Sequence, residues 1–243
     1  MESLRNRTAL ISGGTTGLGR ATALLLAREG VMVYVFGRRQ ETLNQTLEAI
    51  HQAGGIAYGL TADVSVYSEV ERVFQEVDRQ FGHLDILVNN AAVPANNIFN
   101  TPPEDWEKVF TVNVLGYLNC SKLAVERMRT QQSGHILNIG SLCTRVVDNG
   151  SDLYMASKSA VMGFTDSLRK EVASDGIKVT LLNPGQMASE MVSETADEKE
   201  ALVKAEKMLL PEDVAEAVLF CLSRNARVDL THLDLRPHGQ STL

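Results

Sequence analysis

Short apolar runs alternate with helix-length amphipathic segments along this chain, and that alternation limits its fold more than any other feature. Thr8 to Ile11, Val31 to Phe36, Ile56 to Leu60, Ile86 to Val88, His135 to Ile139 and Lys178 to Leu182 read as strands. A seventh is expected at Thr231 to Leu235. Between them lie helical patterns at Gly17 to Glu29, Gln40 to Gln52, Val66 to Phe81, Pro103 to Arg129 and Leu153 to Ala173. Val66, Val70, Val73, Phe74 and Val77 recur at the three- and four-residue spacing of one helical face. Strands that alternate with helices require crossover connections, hence parallel pairing with both sheet faces covered. The expected class is α/β: a doubly wound Rossmann fold, one parallel sheet of about seven strands with helices on both faces.

The chain of 243 residues is expected to form a single domain, 1–243. One compositional shift stands out, Ser189 to Lys207, dense in Glu, Lys and Ala. It reads either as a helical substrate-loop insertion, near 187–210, or as a plain solvated surface helix.

A net charge of −7 and a pI near 5.3 lack the basic footprint of a nucleic-acid binder. The three cysteines, Cys120, Cys143 and Cys221, are odd in number and widely spaced, which suits a reducing compartment better than a disulfide framework. His51, His83, His135, His232 and His238 show no metal-ligand spacing, so no metal is expected. A strand begins within eight residues, leaving no room for a secretory leader. The apolar stretches Ala21 to Ala27 and Val31 to Phe36 are too short to span a membrane. The expectation is a cytoplasmic protein with neither membrane nor nucleic-acid partner.

The first strand runs into Ser12-Gly13-Gly14-Thr15-Thr16-Gly17-Leu18-Gly19, which opens a helix. Such a turn aims backbone N–H groups and a helix N-terminus at a pyrophosphate. Gly13 serves the tight turn, Gly17 close approach of a ligand, and Gly19 close helix packing. Nucleotide choice falls to the end of the second strand, Val35-Phe36-Gly37-Arg38-Arg39. No acid stands there to accept from a ribose 2′-OH, whereas the Arg38 guanidinium suits a 2′-phosphate, so NADP(H) is the expected cofactor.

Tyr154-Met-Ala-Ser-Lys158 places a phenol and an ammonium one helical turn apart. A neighbouring cation should lower the Tyr154 pKa toward the working range of a general acid–base catalyst.

Taken together these residues resemble the short-chain dehydrogenase/reductase family over nearly the whole chain. The turn matches its Thr-Gly-x-x-x-Gly-x-Gly pattern with Ser12 for Thr, and Asn89-Asn90-Ala91-Ala92 matches Asn-Asn-Ala-Gly. Asn113, Ser141, Tyr154 and Lys158 match its catalytic tetrad in order and spacing, and Asn183-Pro184-Gly185 matches its Pro-Gly turn. The resemblance implies that Tyr154 transfers the proton, Ser141 hydrogen-bonds the carbonyl oxygen, Lys158 binds the nicotinamide ribose, and Asn113 holds a relay water. It implies hydride transfer from the pro-S face. It puts Asp63 and Val64 at the adenine and Thr15, Thr16, Leu18, Asn90, Pro184, Gly185, Met187 and Ser189 along the cofactor. Ser189 stands where Thr is usual.

Two departures are visible. Ala92 replaces the last Gly of the strand-four motif. The C-terminus reads Leu233-Asp234-Leu235-Arg236-Pro237 instead of the Val-Asp-Gly-Gly frequent in 3-oxoacyl-carrier-protein reductases.

The implied activity is NADP(H)-dependent interconversion of a carbonyl and an alcohol. The narrower enzymatic alternative is a 3-oxoacyl-carrier-protein reductase. Others are an epimerase or dehydratase working by transient oxidation, and a non-catalytic NADP-binding regulatory protein. Substrate-facing positions are expected in Val93 to Phe99, Leu142 to Ser151 and Met187 to Leu210, forming a mostly apolar pocket. Arg145 would steer an anion or simply lie on the surface; Cys143 is expected to pack and not to act as a nucleophile. The family suggests a homodimer or homotetramer, with Leu115, Leu118 and Val161 as interface or core positions.

Overall fold

A computed structural model of the chain describes residues 2–145 and 152–240. The expected strands are present as β1 (Thr8–Ser12), β2 (Met32–Gly37), β3 (Ala57–Thr61), β4 (Ile86–Asn89), β5 (Gly134–Ile139), β6 (Ile177–Pro184) and β7 (His232–Leu235). They form one sheet in the order β3-β2-β1-β4-β5-β6-β7, every pair parallel. This is the doubly wound Rossmann arrangement.

Period-two alternation divides each strand between two cores. Ala9, Ile11, Val33, Val35, Ile86 and Val88 face a cluster shared with α1 (Gly17–Arg28), α2 (Gln40–Gln52) and α8 (Pro211–Leu222). Leu10, Tyr34, Phe36, Leu87 and Ile136 face the other, built with α3 (Tyr67–Phe81), α5 (Gly116–Gln131) and α6 (Asp152–Val172). On α3 the buried residues are Val70, Val73, Phe74 and Val77. Each such side chain contributes roughly 1.5–3 kcal/mol when taken out of water. Gly82, left-handed at φ 73°, stops that helix.

The expected helix from Pro103 to Arg129 is not continuous. It is α4 (Pro103–Phe110), a π-turn at Thr111–Leu115, then α5. Hydrophobic spacing cannot show one extra residue in a turn, because the apolar face resumes beyond it. Val161, an interface candidate, is fully buried and belongs to the core, whereas Leu115 is exposed. Among the described residues no helix is long and apolar enough to cross a membrane.

A buried polar ladder locks the central strands. The Asn89 Nδ2 donates to Asn138 Oδ1 (2.8 Å) and Ser121 Oγ (3.0 Å), and the Asn138 Nδ2 donates to Thr165 Oγ1 (2.9 Å). Unpaired, these groups would each cost about 1–3 kcal/mol, so the ladder selects one register of β4, β5, α5 and α6.

His135, at the start of β5, has its Nε2 2.8 Å from Thr180 Oγ1, whose hydroxyl donates to Leu230 O. The ring therefore donates to Thr180. Burial, then the charge of Lys178, pushes its pKa down to about 3. The unfolded chain binds a proton there near pH 6.5, so stability is lost as pH falls from about 6.5 toward 3. We expect about 2 kcal/mol of loss from this site by pH 5. Urea titrations of the His135→Gln protein should show a flatter acid limb than the parent; identical limbs would remove His135 as the cause.

Candidate active site

The sheet order reverses between β1 and β4, and ligands of open α/β sheets sit at the carboxyl ends of strands at such a point. A cleft of about 640 Å³ lies there. The glycine turn forms one wall. Ser12 Oγ accepts from the backbone N–H groups of Asn90 (3.0 Å) and Ala91 (3.2 Å), tying β1 to β4. The Asn90 Nδ2 donates to Ser12 O (3.1 Å) and Gly13 O (3.0 Å). Asn90 thus shapes the turn as well as lining the cleft.

Two glycines here have separate physical reasons. Gly17 is left-handed at φ 50°, and a Cβ built on it meets nothing within 4 Å, so its backbone opens onto free space. A Cβ on Gly19 would stand 2.1 Å from Gly13 O, so helix α1 reaches the turn only because that atom is missing. Gly13, Thr15, Thr16, Gly17 and Leu18 line the cleft; Gly19 lies behind the turn.

Past β2 both Arg38 and Arg39 line the cleft. Arg39 is committed across it to Glu190 on the loop after β6, at 3.0 Å. Arg38 pairs with no carboxylate among the described residues. Asp63 and Val64 form the adjoining wall, one Asp63 oxygen accepting from the Ser65 N–H (2.9 Å) and hydroxyl (2.6 Å).

At the other end, Tyr154 and Lys158 stand one turn apart on α6, the Lys158 Nζ 5.8 Å from the centre of the Tyr154 ring. Both line the cleft with Ser141. The buried Lys158 ammonium donates to Ile139 O (2.8 Å) and Tyr117 Oη (3.2 Å), and Tyr117 donates to the same carbonyl (3.0 Å). Ser141 begins a short 3₁₀ turn, Leu142–Thr144, its Oγ accepting from the Cys143 N–H at 3.3 Å.

The expected lowering of the Tyr154 pKa is not met. Burial, then the neighbouring Cys143, raises it, while burial brings Lys158 down to about 8. Desolvation disfavours the charged form of each group. The phenol therefore holds its proton at neutral pH. Burial likewise raises the Cys143 thiol and keeps it protonated, as suits a lining residue.

Asn113 is fully buried in the π-turn and does not line the cleft. Its Oδ1 accepts from Val93 N (2.8 Å), and its Nδ2 donates to Val93 O (3.0 Å) and Ser157 Oγ (3.1 Å). The side chain thus stitches the segment after β4 to α6, next to Lys158. Tyr117 and Ser157, which hold Lys158 and Asn113, are additions that sequence spacing alone did not flag. Tyr117 lies four residues beyond Asn113, a spacing that could have drawn attention to it.

Pro184, Gly185, Met187 and Ser189 line the cleft after β6. The loop turns back there, Ala188 N donating to Leu209 O (2.8 Å) and Leu209 N to Gln186 O (2.9 Å). Between these anchors runs α7 (Ala196–Lys204), begun by a Thr195–Glu198 capping box. Val93, Leu142, Cys143, Met187 and Met191 supply the expected mostly apolar lining.

One expectation is corrected. Ile98 and Phe99 do not line the cleft; they are exposed, Phe99 at 93%. Arg145 takes the second of its two readings: it lies on the surface, held toward β7 by Asp234 (2.9 Å) and His232 Nδ1 (3.0 Å). Arg236 and Gln240, unassigned in the sequence, do line it. Asp148 and Ser151 lie outside the described residues. Among those described, no three His, Cys, Asp or Glu side chains cluster as a metal site needs.

Known proteins share this architecture. A 3-oxoacyl-[acyl-carrier-protein] reductase of Staphylococcus aureus (strain Mu50) is 35% identical over 227 residues, spanning 91% of this chain and 92% of its own. An uncharacterized oxidoreductase of Staphylococcus aureus (strain MRSA252) is 32% identical over 238 residues, spanning 98% of this chain and all of its own. Among solved structures, a variant of actinorhodin polyketide ketoreductase with NADPH superposes with a TM-score of 0.88 at 29% identity, covering 98% of each chain. Levodione reductase gives 0.88 at 25% identity, covering 96% of this chain and 97% of that one. The family model for short chain dehydrogenase matches residues 7–200. With the glycine turn, the Tyr154–Lys158 pair and the parallel sheet in one frame, the chain belongs to the short-chain dehydrogenase family of oxidoreductases.

Proposed function

We propose that the protein reduces a ketone or aldehyde to an alcohol with NADPH, or runs the reverse, with Tyr154 as the proton-transferring group. The observation that carries this reading is the placing of Tyr154, Ser141 and Lys158 together in a cleft that continues to the glycine turn. The cleft suits a dinucleotide: Gly17 exposes its backbone, α1 aims its N-terminus at a phosphate, and Arg38 keeps its guanidinium unpaired. When bound, the nicotinamide supplies the hydride.

The chain's own residues do the rest. Glycine-turn amides and Thr15, Thr16 and Leu18 hold the pyrophosphate, Asp63 and Val64 the adenine, and Asn90, Pro184, Gly185, Met187 and Ser189 the nicotinamide half. Ser141 donates a hydrogen bond to the carbonyl oxygen, stabilising the charge that develops there. Tyr154 gives that oxygen its proton, and Lys158 orients the ribose and supports re-protonation of the phenol. Asn113, held by Val93 and Ser157, acts by positioning the wall and the relay water near Lys158. The whole chain works as one unit, with 187–210 as the substrate loop, and the two long helical stretches that contain Asn113 and Lys158 serve a homodimer or homotetramer.

Arg38 should decide the cofactor. Arg38→Ser is expected to weaken NADPH binding by about tenfold to a hundredfold through loss of a charge-assisted contact, leaving NADH nearly unaffected. Fluorescence titration with both cofactors measures this; equal loss for both would place the 2′-phosphate elsewhere. The narrower 3-oxoacyl-carrier-protein reductase reading is favoured by the 35% identical relative. NADPH consumption over ketones, aldehydes and 3-oxoacyl thioesters ranks the substrates. Tight NADPH binding with no turnover on any of them would instead select a non-catalytic role.

A further inference from the structure

We propose that Arg236 selects substrates bearing an anionic group, a carboxylate in the simplest case, a short distance from the reacting carbonyl. This rests on the carbonyl reduction proposed above and names its substrate class.

The strand ends fix where Arg236 stands. Ile139 pairs with Leu182, and Pro184 pairs with Leu235. Ser141 lies two residues past the end of β5, so continuing that register sets it level with Pro184 and Leu235. Two strand spacings of roughly 4.8 Å put the Arg236 backbone about 10 Å from that of Ser141. An arginine side chain and a short oxo acid together bridge that gap. The Cβ of Arg236 lies 3.2 Å from where a Cβ on Gly185 would stand, and the side chain lines the cleft.

The neighbourhood leaves Arg236 as the available cation. Lys158 is held by Ile139 O and Tyr117, Arg145 by Asp234, and Arg39 by Glu190. Among the described residues Arg236 has no carboxylate within ion-pair distance. The cleft it lines also carries the apolar side chains of Leu142, Met187 and Met191. Gln240 adds a second polar tip: its Oε1 accepts from Gln186 N at 3.4 Å, leaving its amide N–H groups to donate. Pro237, which is buried, fixes the backbone just beyond the arginine. Arg236 is exposed at the cleft, and a guanidinium fork matches a carboxylate better than it matches a neutral ester.

The test is NADPH-dependent reduction of 5-oxohexanoate and its methyl ester by the parent, Arg236→Gln and Arg236→Lys proteins. The parent should favour the acid by tenfold or more in kcat/KM. Arg236→Gln should lower the acid's kcat/KM by about tenfold to a hundredfold, mostly through KM, with the ester within twofold. Arg236→Lys should restore part of the preference. Equal use of acid and ester by the parent, or equal loss for both in Arg236→Gln, would overturn the assignment.

If neither compound is reduced, the failure belongs to the reaction or to its direction. Binding then decides the proposal. Quenching of enzyme-bound NADPH fluorescence by 5-oxohexanoate should be lost in Arg236→Gln; unchanged quenching, or none in the parent, would overturn it.

Discussion

Tyr154→Phe is expected to lower carbonyl turnover by about 10²–10⁴-fold, the usual contribution of a positioned general acid. The substitution deletes one oxygen and nothing that packs. NADPH affinity should stay within about twofold, because the phosphate-binding end of the cleft lies on β1, α1 and β2, far along the chain from α6. Steady-state kinetics on the best carbonyl substrate, paired with fluorescence titration of NADPH, separates the two quantities. Turnover that survives would mean that another group delivers the proton. The raised pKa of Tyr154 bears on direction as well. A phenol that keeps its proton is ready to reduce a carbonyl; oxidation first requires that proton to leave, so the oxidative rate should climb with pH more steeply than the reductive one.

The second large effect concerns the fold and the site together. In Gly19→Ala, the new methyl would lie 2.1 Å from Gly13 O and 2.6 Å from Asn90 Nδ2, the amide that holds the turn. Neither is the loose end of a flexible side chain. Either α1 backs away from the turn or the turn opens, at a cost of about 1–3 kcal/mol or more. Both routes spoil the row of N–H groups, so NADPH binding should fall at least tenfold as the urea midpoint drops. Gly17→Ala makes the comparison: its Cβ meets no protein atom and costs only the roughly 1–2 kcal/mol of left-handed backbone, so it should lose NADPH binding with a smaller drop in the urea midpoint. If Gly19→Ala matched the parent in both readouts, helix α1 would be freer to shift than its contacts indicate.

Much of this could be read in advance, and the limits have physical causes. Alternation in β1 and β2 and the stripe of Val70, Val73, Phe74 and Val77 on α3 state which side each residue turns inward, so the sheet and most helices were legible. The glycine turn and the tetrad were legible because each is set by local spacing. What a side chain bonds to was not. The side-chain partners of Asn113 are Val93 and Ser157, one of which lies twenty residues earlier and the other forty-four later. Arg145 left two readings open, and the choice between them came from Asp234 on β7. The sign of the Tyr154 shift depended on burial, which the Tyr-x-x-x-Lys spacing does not report. Arg236 showed only as a departure from a common ending, and its place in the cleft follows from the pairing of β6 with β7.

The π-turn at Thr111–Leu115 carries a consequence for how this chain can change over time. A turn with one residue more than the α-helix sets the phase of everything after it, about 100° per residue. Deleting a single residue there would rotate Tyr117 away from Lys158 and turn Cys120 and Ala124 off the sheet, while Leu115 would leave the outer surface. Catalytic support, core and outer surface thus share one reading frame, and insertions or deletions in this helix should be purged even where point substitutions are tolerated.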